Sequence, residues 1–182
     1  TGYDSGYERK ENVRVMRRKD REVSAEQAWE IVDRCSYGVL AMTKPDGTPY
    51  AVPVNIVREE NRVYFHSAMA GKKTDCMRAH PRVCVTCVES GAEIDQPGLT
   101  TRYASAILTG TAAEVTETEE KVNALRLLCR KLAPENPYSQ GNFHDCIGRT
   151  AVWRITVDAI TGKANRGIGQ RKIFLGSRHE DV

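Results

Sequence analysis

Apolar residues along this chain change their spacing several times, and each change marks an element. Between 24 and 35 they recur every three or four residues, at Ala28, Ile31, Val32 and Cys35, which is one face of a helix. Ser24, with Gln27 three residues on, supplies the capping box that starts it. From Tyr37 the spacing shortens to two. That alternation predicts a strand over 37–43, a turn over 44–49 and a partner strand over 50–57. Pro45 presets φ in the turn and Gly47 supplies a positive φ. A second turn at Glu59-Glu60-Asn61 leads into a strand over 62–67, and 71–80 reads as a short helix stopped by Pro81. Strands over 82–89 and 101–115 follow, separated by a loop over 90–100. Gly110 inside the longer strand predicts a bend or bulge. Thr116 and Glu119 open a helix that reaches about Leu132, with Val122, Leu125, Leu128, Cys129 and Leu132 on its buried face. After an irregular stretch over 134–145, a last strand spans 150–160. It sets Val152, Arg154, Thr156 and Asp158 opposite Trp153, Ile155, Val157 and Ala159.

Six strands at hairpin spacing, with helices inserted between some of them, predict a mainly β protein with helices: a closed or partly split antiparallel barrel. The connections are too short for parallel crossovers except around 71–80. Residues 1–22 are polar and charge-dense, and read as an N-terminal arm; one of Arg17 and Arg18 could fold back onto a ligand phosphate. The barrel domain is placed at 23–163, and 164–182 reads as a glycine-containing basic tail.

Composition narrows the class. A chain of 182 residues with 27 basic and 24 acidic side chains carries a net charge of only +3, which argues against a dedicated nucleic-acid binder. No apolar run reaches the length of a membrane span and no secretory signal opens the chain. The expectation is therefore a soluble, cytoplasmic protein with no nucleic-acid or membrane partner. The six cysteines sit mostly in apolar periodic segments and suit small buried hydrophobes in a reducing compartment. Cys84 and Cys87 have clip-like spacing. On a strand, however, residues three apart face opposite ways, and no second pair exists, so no metal site is expected.

Four clusters carry candidate chemistry. Gly71-Lys72-Lys73 puts two cations at a helix start, where they oppose the macrodipole and sit beside free N–H groups. A phosphate resolves both problems, although solvated surface lysines satisfy the same sequence. Val52-Pro53-Val54-Asn55 has a proline with no N–H to give a neighbour, so the strand is an edge or faces something other than a strand. A flat heteroaromatic ring could use its main-chain groups. In Phe65-His66-Ser67, His66 leaves a strand end on the face of Tyr64, able to donate to a ring carbonyl or phosphate or to move a proton near neutral pH. Ser67 offers a hydroxyl to a phosphate or ribityl chain, or else a cap to the next turn. In Thr101-Arg102-Tyr103-Ala104-Ser105, Tyr103 and Ser105 could reach a phosphate or ring across a subunit interface, or form an ordinary polar strand end.

Taken in order, 35–41, 46–55, 63–68, Gly71-Lys72-Lys73 and His80-Pro81-Arg82-Val83 resemble the FMN-binding split-barrel superfamily. Within it the chain is similar to the branch of nitroimidazole-resistance (Nim) proteins, related in turn to pyridoxamine 5′-phosphate oxidase. Met16 to Glu22 and Ile160-Thr161-Gly162-Lys163 fit that branch too, so the likeness spans about Met16 to Lys163. The resemblance implies a homodimer with FMN at the subunit interface. By position, Val52, Pro53, Val54 and Asn55 would meet the isoalloxazine edge, and His66 and Ser67 the ring or ribityl side. Lys72 and Lys73 would bind the phosphate, and Tyr103 and Ser105 would come from the partner. His66 is the candidate catalytic residue. The chain departs from the pattern at Ala104, a position often charged in the branch, and in lacking an Arg-Leu-His-Asp-Arg type segment after Lys163. The second departure argues against vitamin B6 oxidation.

The expected function is an FMN-dependent oxidoreductase passing electrons from a reduced donor to a small acceptor such as a nitroaromatic. The competing expectation is a non-catalytic flavin or haem carrier, with His66 or His144 as axial ligand.

Overall fold

The computed structural model describes residues 16–89, 93–96, 98–136, 143 and 147–165. In chain order, a single 3-10 turn at Lys19–Arg21 precedes β1 (Glu22–Val23), α1 (Ala25–Arg34), β2 (Tyr37–Thr43), β3 (Pro49–Asn55), β4 (Val57–Glu59) and β5 (Arg62–Ala68). Then come α2 (Lys72–Ala79), β6 (Arg82–Val88), β7 (Glu93–Asp95), β8 (Thr100–Glu114), α3 (Thr118–Leu132) and β9 (Thr150–Asn165). The main sheet is antiparallel and runs β3-β2-β6-β8-β9-β5-β4, with β1 added to β9 and β7 to β8.

The edges of that sheet, β3 and β4, are consecutive in the chain with only Ile56 between them. The sheet must therefore curl until its edges meet, which makes the expected barrel. Ile56 lies fully buried at the crossing, and its N–H donates to the Ser36 carbonyl at 3.4 Å. Leu40, Val85, Leu108, Phe65, Trp153 and Ile155 fill the interior, and Ala28, Ile31 and Val32 of α1 complete that core. The capping box at Ser24 forms in both directions, with Gln27 N–H donating to Ser24 Oγ at 3.2 Å.

Several expectations need correction. Six strands become nine among the described residues. The predicted strand over 50–57 breaks at Ile56, because the chain leaves one edge of the sheet there to join the other. The predicted loop over 90–100 contains β7, which pairs with the start of β8. The last strand does not stop at 160 but runs to Asn165, since 161–165 pair with 103–107 of β8 and Gly162 and Lys163 pair also with Val23 and Glu22. The tail from 166 lies outside the described residues. Helix α3 starts at Thr118 behind Glu117, whose carboxylate accepts from the Glu119 N–H at 3.2 Å. It buries Ala124, Leu125 and Leu128 and leaves Leu132 exposed.

The reason for the last difference lies in β5 and β9. Phe65 and Trp153 oppose each other and face the barrel, whereas Tyr64 and Val152 face outward into a second cluster under α3. These strands are buried on both faces, so α3 packs on a sheet rather than on the barrel interior. Tyr64 donates to Glu120 at 2.9 Å, and Arg154 donates to both oxygens of that carboxylate at 2.7 and 2.9 Å. This holds the helix in register. No helix among the described residues is long and apolar enough to cross a membrane.

The expected irregularity at Gly110 is a bulge. Thr109 opposes Ala159 while Gly110 opposes Val157, leaving Asp158 as the extra residue. The Asp158 carboxylate accepts from Arg82, which also donates to Thr111 Oγ1 at 3.1 Å. A Cβ at Gly110 would fall inside van der Waals contact with the Thr156 carbonyl oxygen, and that oxygen belongs to backbone that cannot rotate away. Gly110→Ala should therefore cost about 1–3 kcal/mol, read as a lower midpoint in urea unfolding. An unchanged midpoint would mean that the bulge accommodates a side chain.

Candidate functional site

Strand β3 keeps a free edge because it pairs only with β2 in the ladder. Pro53 sits opposite Val39 there, and the missing N–H leaves nothing unsatisfied on the open side. Tyr50, Val52 and Val54 turn toward the core, so Val52 and Val54 can offer a ligand only their main chain. Ala51, Pro53 and Asn55 are exposed on the outer face. The Asn55 amide donates to the Ser36 carbonyl at 3.1 Å, which fixes the strand end before the crossing.

Strand β5 approaches β3 across the split without forming a ladder with it. His66 stands on its outer face opposite Val152. The imidazole is exposed in the single chain, yet its surroundings strip enough hydration to lower its pKa below 6.5, and the Lys73 ammonium pushes it down further. Ser67 faces the other way. It is buried and donates to the Ala68 carbonyl at 2.8 Å.

Helix α2 begins where β5 ends. Gly71, its N-cap, has a φ of 137°, a conformation that side chains rarely adopt, and a Cβ there would meet only open space. Lys72 at the first helical position is exposed, with its ammonium 5.4 Å from the centre of the Tyr50 ring. Lys73 is half-buried and close enough to His66 to act on its charge. Buried Thr74, Cys76 and Met77 anchor the helix, and Thr74 Oγ1 donates to the Gly71 carbonyl at 2.6 Å. The structure thus gathers β3, His66, Lys72 and Lys73 into one place.

It does not bring Tyr103 and Ser105 there within one chain. Both lie on β8, and β2 and β6 intervene, which amounts to about 14 Å of sheet. Ser105 donates to the Lys163 carbonyl at 3.4 Å, and Tyr103 pairs with Asn165 in the ladder. His144 lies outside the described residues. Sequence reasoning missed Tyr50, whose only signal is an aromatic residue at the inward parity of β3. It also missed an apolar outer face on the strands between β3 and β8. There Tyr37 and Val88 are 56 % and 54 % exposed, with Val39 and Ile107 beside them. The signal was legible, since both parities of β2 are apolar.

Residues 24–164 match the family described as pyridoxamine 5′-phosphate oxidase. The chain belongs to the pyridoxamine 5′-phosphate oxidase family. Its fold is the split barrel of that family. An uncharacterized protein of Rhizobium meliloti (strain 1021) is 30 % identical over 123 residues, covering 65 % of this chain and 71 % of that one. A candidate 5-nitroimidazole antibiotic resistance protein of Bacteroides thetaiotaomicron is 25 % identical with a TM-score of 0.70, over 78 % of this chain and 85 % of that one. A FAD-binding protein of Mesorhizobium loti is 26 % identical with a TM-score of 0.61, over 80 % and 97 %.

Because burial is the larger cause and Lys73 the second, Lys73→Ala should raise the His66 pKa without restoring it to 6.5. A lowered value means that the unfolded chain takes up the proton first. Stability should therefore fall as pH drops from about 6.5 through the lowered value. The imidazole midpoint followed by NMR in both proteins checks this; an unmoved midpoint would place Lys73 away from His66.

Proposed function

We propose that this pyridoxamine 5′-phosphate oxidase relative binds FMN and serves as an oxidoreductase. It would pass electrons from a reduced donor to a small acceptor, with a nitroaromatic such as a 5-nitroimidazole as the acceptor to test first. The observation that carries the reading is the meeting of an open strand edge, a strand-end histidine and two lysines at a helix start. The donor set fits a flavin phosphate. Lys72 and Lys73 supply charge, the first turn of α2 supplies free N–H groups, and Gly71 leaves room for close approach. When bound, the flavin would supply the electron transfer chemistry. The main chain of Val52 to Asn55 would hold its ring edge, and His66 would lie nearest the acceptor. Held largely neutral near pH 7, His66 can donate from one ring nitrogen and accept at the other. Ser67, with its hydroxyl already bonded to Ala68, would contribute backbone rather than side chain. Similarity to the Bacteroides protein supports a nitroimidazole as test acceptor; family membership alone does not set the substrate.

A homodimer belongs to the same proposal. The exposed face of Tyr37, Val39 and Val88 lies between β3 and the β8 residues Tyr103 and Ser105, and exposed Ile107 continues it on β8 itself. A two-fold contact through that face would bury it and set β8 of one copy against β3 of the other. This would complete the site with Tyr103 and Ser105 of the second copy.

Three measurements test the reading. The visible spectrum and heat-released ligand of the purified protein should show FMN; a Soret band would replace this function with haem binding. Lys72→Glu with Lys73→Glu should weaken FMN at least tenfold by flavin-fluorescence titration, since one charge-assisted contact contributes about 1.5–3 kcal/mol. Undiminished affinity would remove both lysines from the site. Ile107→Asp should halve the mass of the wild-type particle in light scattering and lower FMN affinity with it. A monomeric variant of full affinity would show that one chain suffices.

A further inference from the structure

Lys72 and Lys73 are neighbours in the first turn of α2, yet the structure holds them differently. Lys73 is half-buried, whereas Lys72 is exposed. An exposed lysine at a helix start would ordinarily spread over many rotamers, in a place where the macrodipole repels a cation. Lys72 instead has its ammonium 5.4 Å from the centre of the Tyr50 ring. That is inside the range of about 6 Å at which the negative face of an aromatic ring attracts a cation. Among the described residues Lys72 joins no ion pair, and Asp75 in the same turn does not neutralise it.

The ring that meets Lys72 is itself fixed. Tyr50 stands opposite buried Met42 in the β2–β3 ladder and packs on the barrel core. The turn just before it is closed by several hydrogen bonds. The Lys44 N–H donates to the Thr48 carbonyl at 2.8 Å, and the Thr48 N–H and hydroxyl donate to Asp46 at 2.9 and 2.6 Å. On the other side, buried Thr74, Cys76 and Met77 anchor α2, which packs against β2. Strand and helix are thus seated independently, and the Lys72 side chain spans from one to the other.

We propose that Tyr50 is a positioning residue for the phosphate site, its ring face holding the Lys72 ammonium at the start of α2 so that the site selects a flavin bearing a terminal phosphate monoester over the same flavin without one. The inference rests on the flavin reading of the site given above. A carboxylate in place of the ring would also hold the lysine, but it would cancel the charge that the phosphate needs. An aromatic face attracts the ammonium through its quadrupole and carries no net charge. The ammonium has three N–H donors, and contact with the ring on one side leaves others for phosphate oxygens. Because the side chain is held before a ligand arrives, less of its freedom is lost on binding. The Tyr50 hydroxyl has no part in this, so phenylalanine should serve equally well.

The test titrates the full chain, freed of bound flavin, with FMN and separately with riboflavin, following flavin fluorescence. The wild type should bind FMN more tightly than riboflavin. Tyr50→Phe should keep the FMN affinity within about twofold, while Tyr50→Leu should weaken FMN about two- to fivefold and leave riboflavin unchanged. In a Lys72→Met background, Tyr50→Leu should add no further loss. Equal weakening of both flavins by Tyr50→Leu would overturn the proposal, and so would tighter FMN binding or a loss repeated in full on top of Lys72→Met. A wild type that prefers neither flavin would remove the phosphate selection and leave flavin binding standing. A wild type that takes up neither would remove the flavin reading and this inference with it. Should Tyr50→Leu fail to fold, a trifluorinated phenylalanine at position 50 keeps the ring and weakens its negative face. It should lower FMN affinity relative to Tyr50→Phe, and equal affinities would overturn the proposal.

Discussion

Everything in this barrel depends on one crossing. Ile56 carries the chain from the free edge of β3 to the start of β4, and those are the two ends of the hydrogen-bonded sheet. The Ser36 carbonyl accepts from both the Ile56 N–H and the Asn55 amide, so the crossing is pinned to the start of β2. An isoleucine with no exposed surface at that point supplies apolar burial where the ladder cannot. Because the closure is made by chain continuity instead of hydrogen bonds, β3 keeps an open edge beside β5. The candidate site occupies that gap. The architecture and the opportunity for a ligand have the same cause.

Much of this was legible in the chain. The capping box at Ser24, the edge character of Pro53 and the irregularity at Gly110 are local rules with local outcomes, and each survived folding. What stayed hidden depended on long-range pairing. Nothing near 162 announces that β9 continues, because its continuation is set by pairing with β8, about 60 residues earlier, and with β1, some 140 residues away in sequence. The face that α3 buries could not be read from α3 alone, since its partner is the outer side of β5, where Tyr64 interrupts a simple alternation. At the site, residues adjacent in sequence or on neighbouring strands were found together. Tyr103 and Ser105 were not, because two strands separate them from β3. Ser67 shows a further limit: the hydroxyl is present, but parity sends it inward.

The polar contacts divide in a similar way. Pairs such as Arg18–Asp20 and Lys44–Asp46 are exposed, local and worth little. The Tyr64–Glu120–Arg154 group is partly buried, joins three elements, and seats α3 over a surface that hydrophobic contact alone would leave free to slide.

The pairing of Glu22 and Val23 with Lys163 and Gly162 has a topological consequence. The first and last strands of the barrel are hydrogen-bonded neighbours, so its entrance and exit lie about 5 Å apart. The fold is in effect a ring cut at one point. A short peptide could join those strands, and the cut could be moved to the exposed turn at Gly47, where no atom crowds the backbone. Order along the chain would change while every ladder stayed in place. Anything fused before β1 or after β9 would leave the barrel at one shared pole.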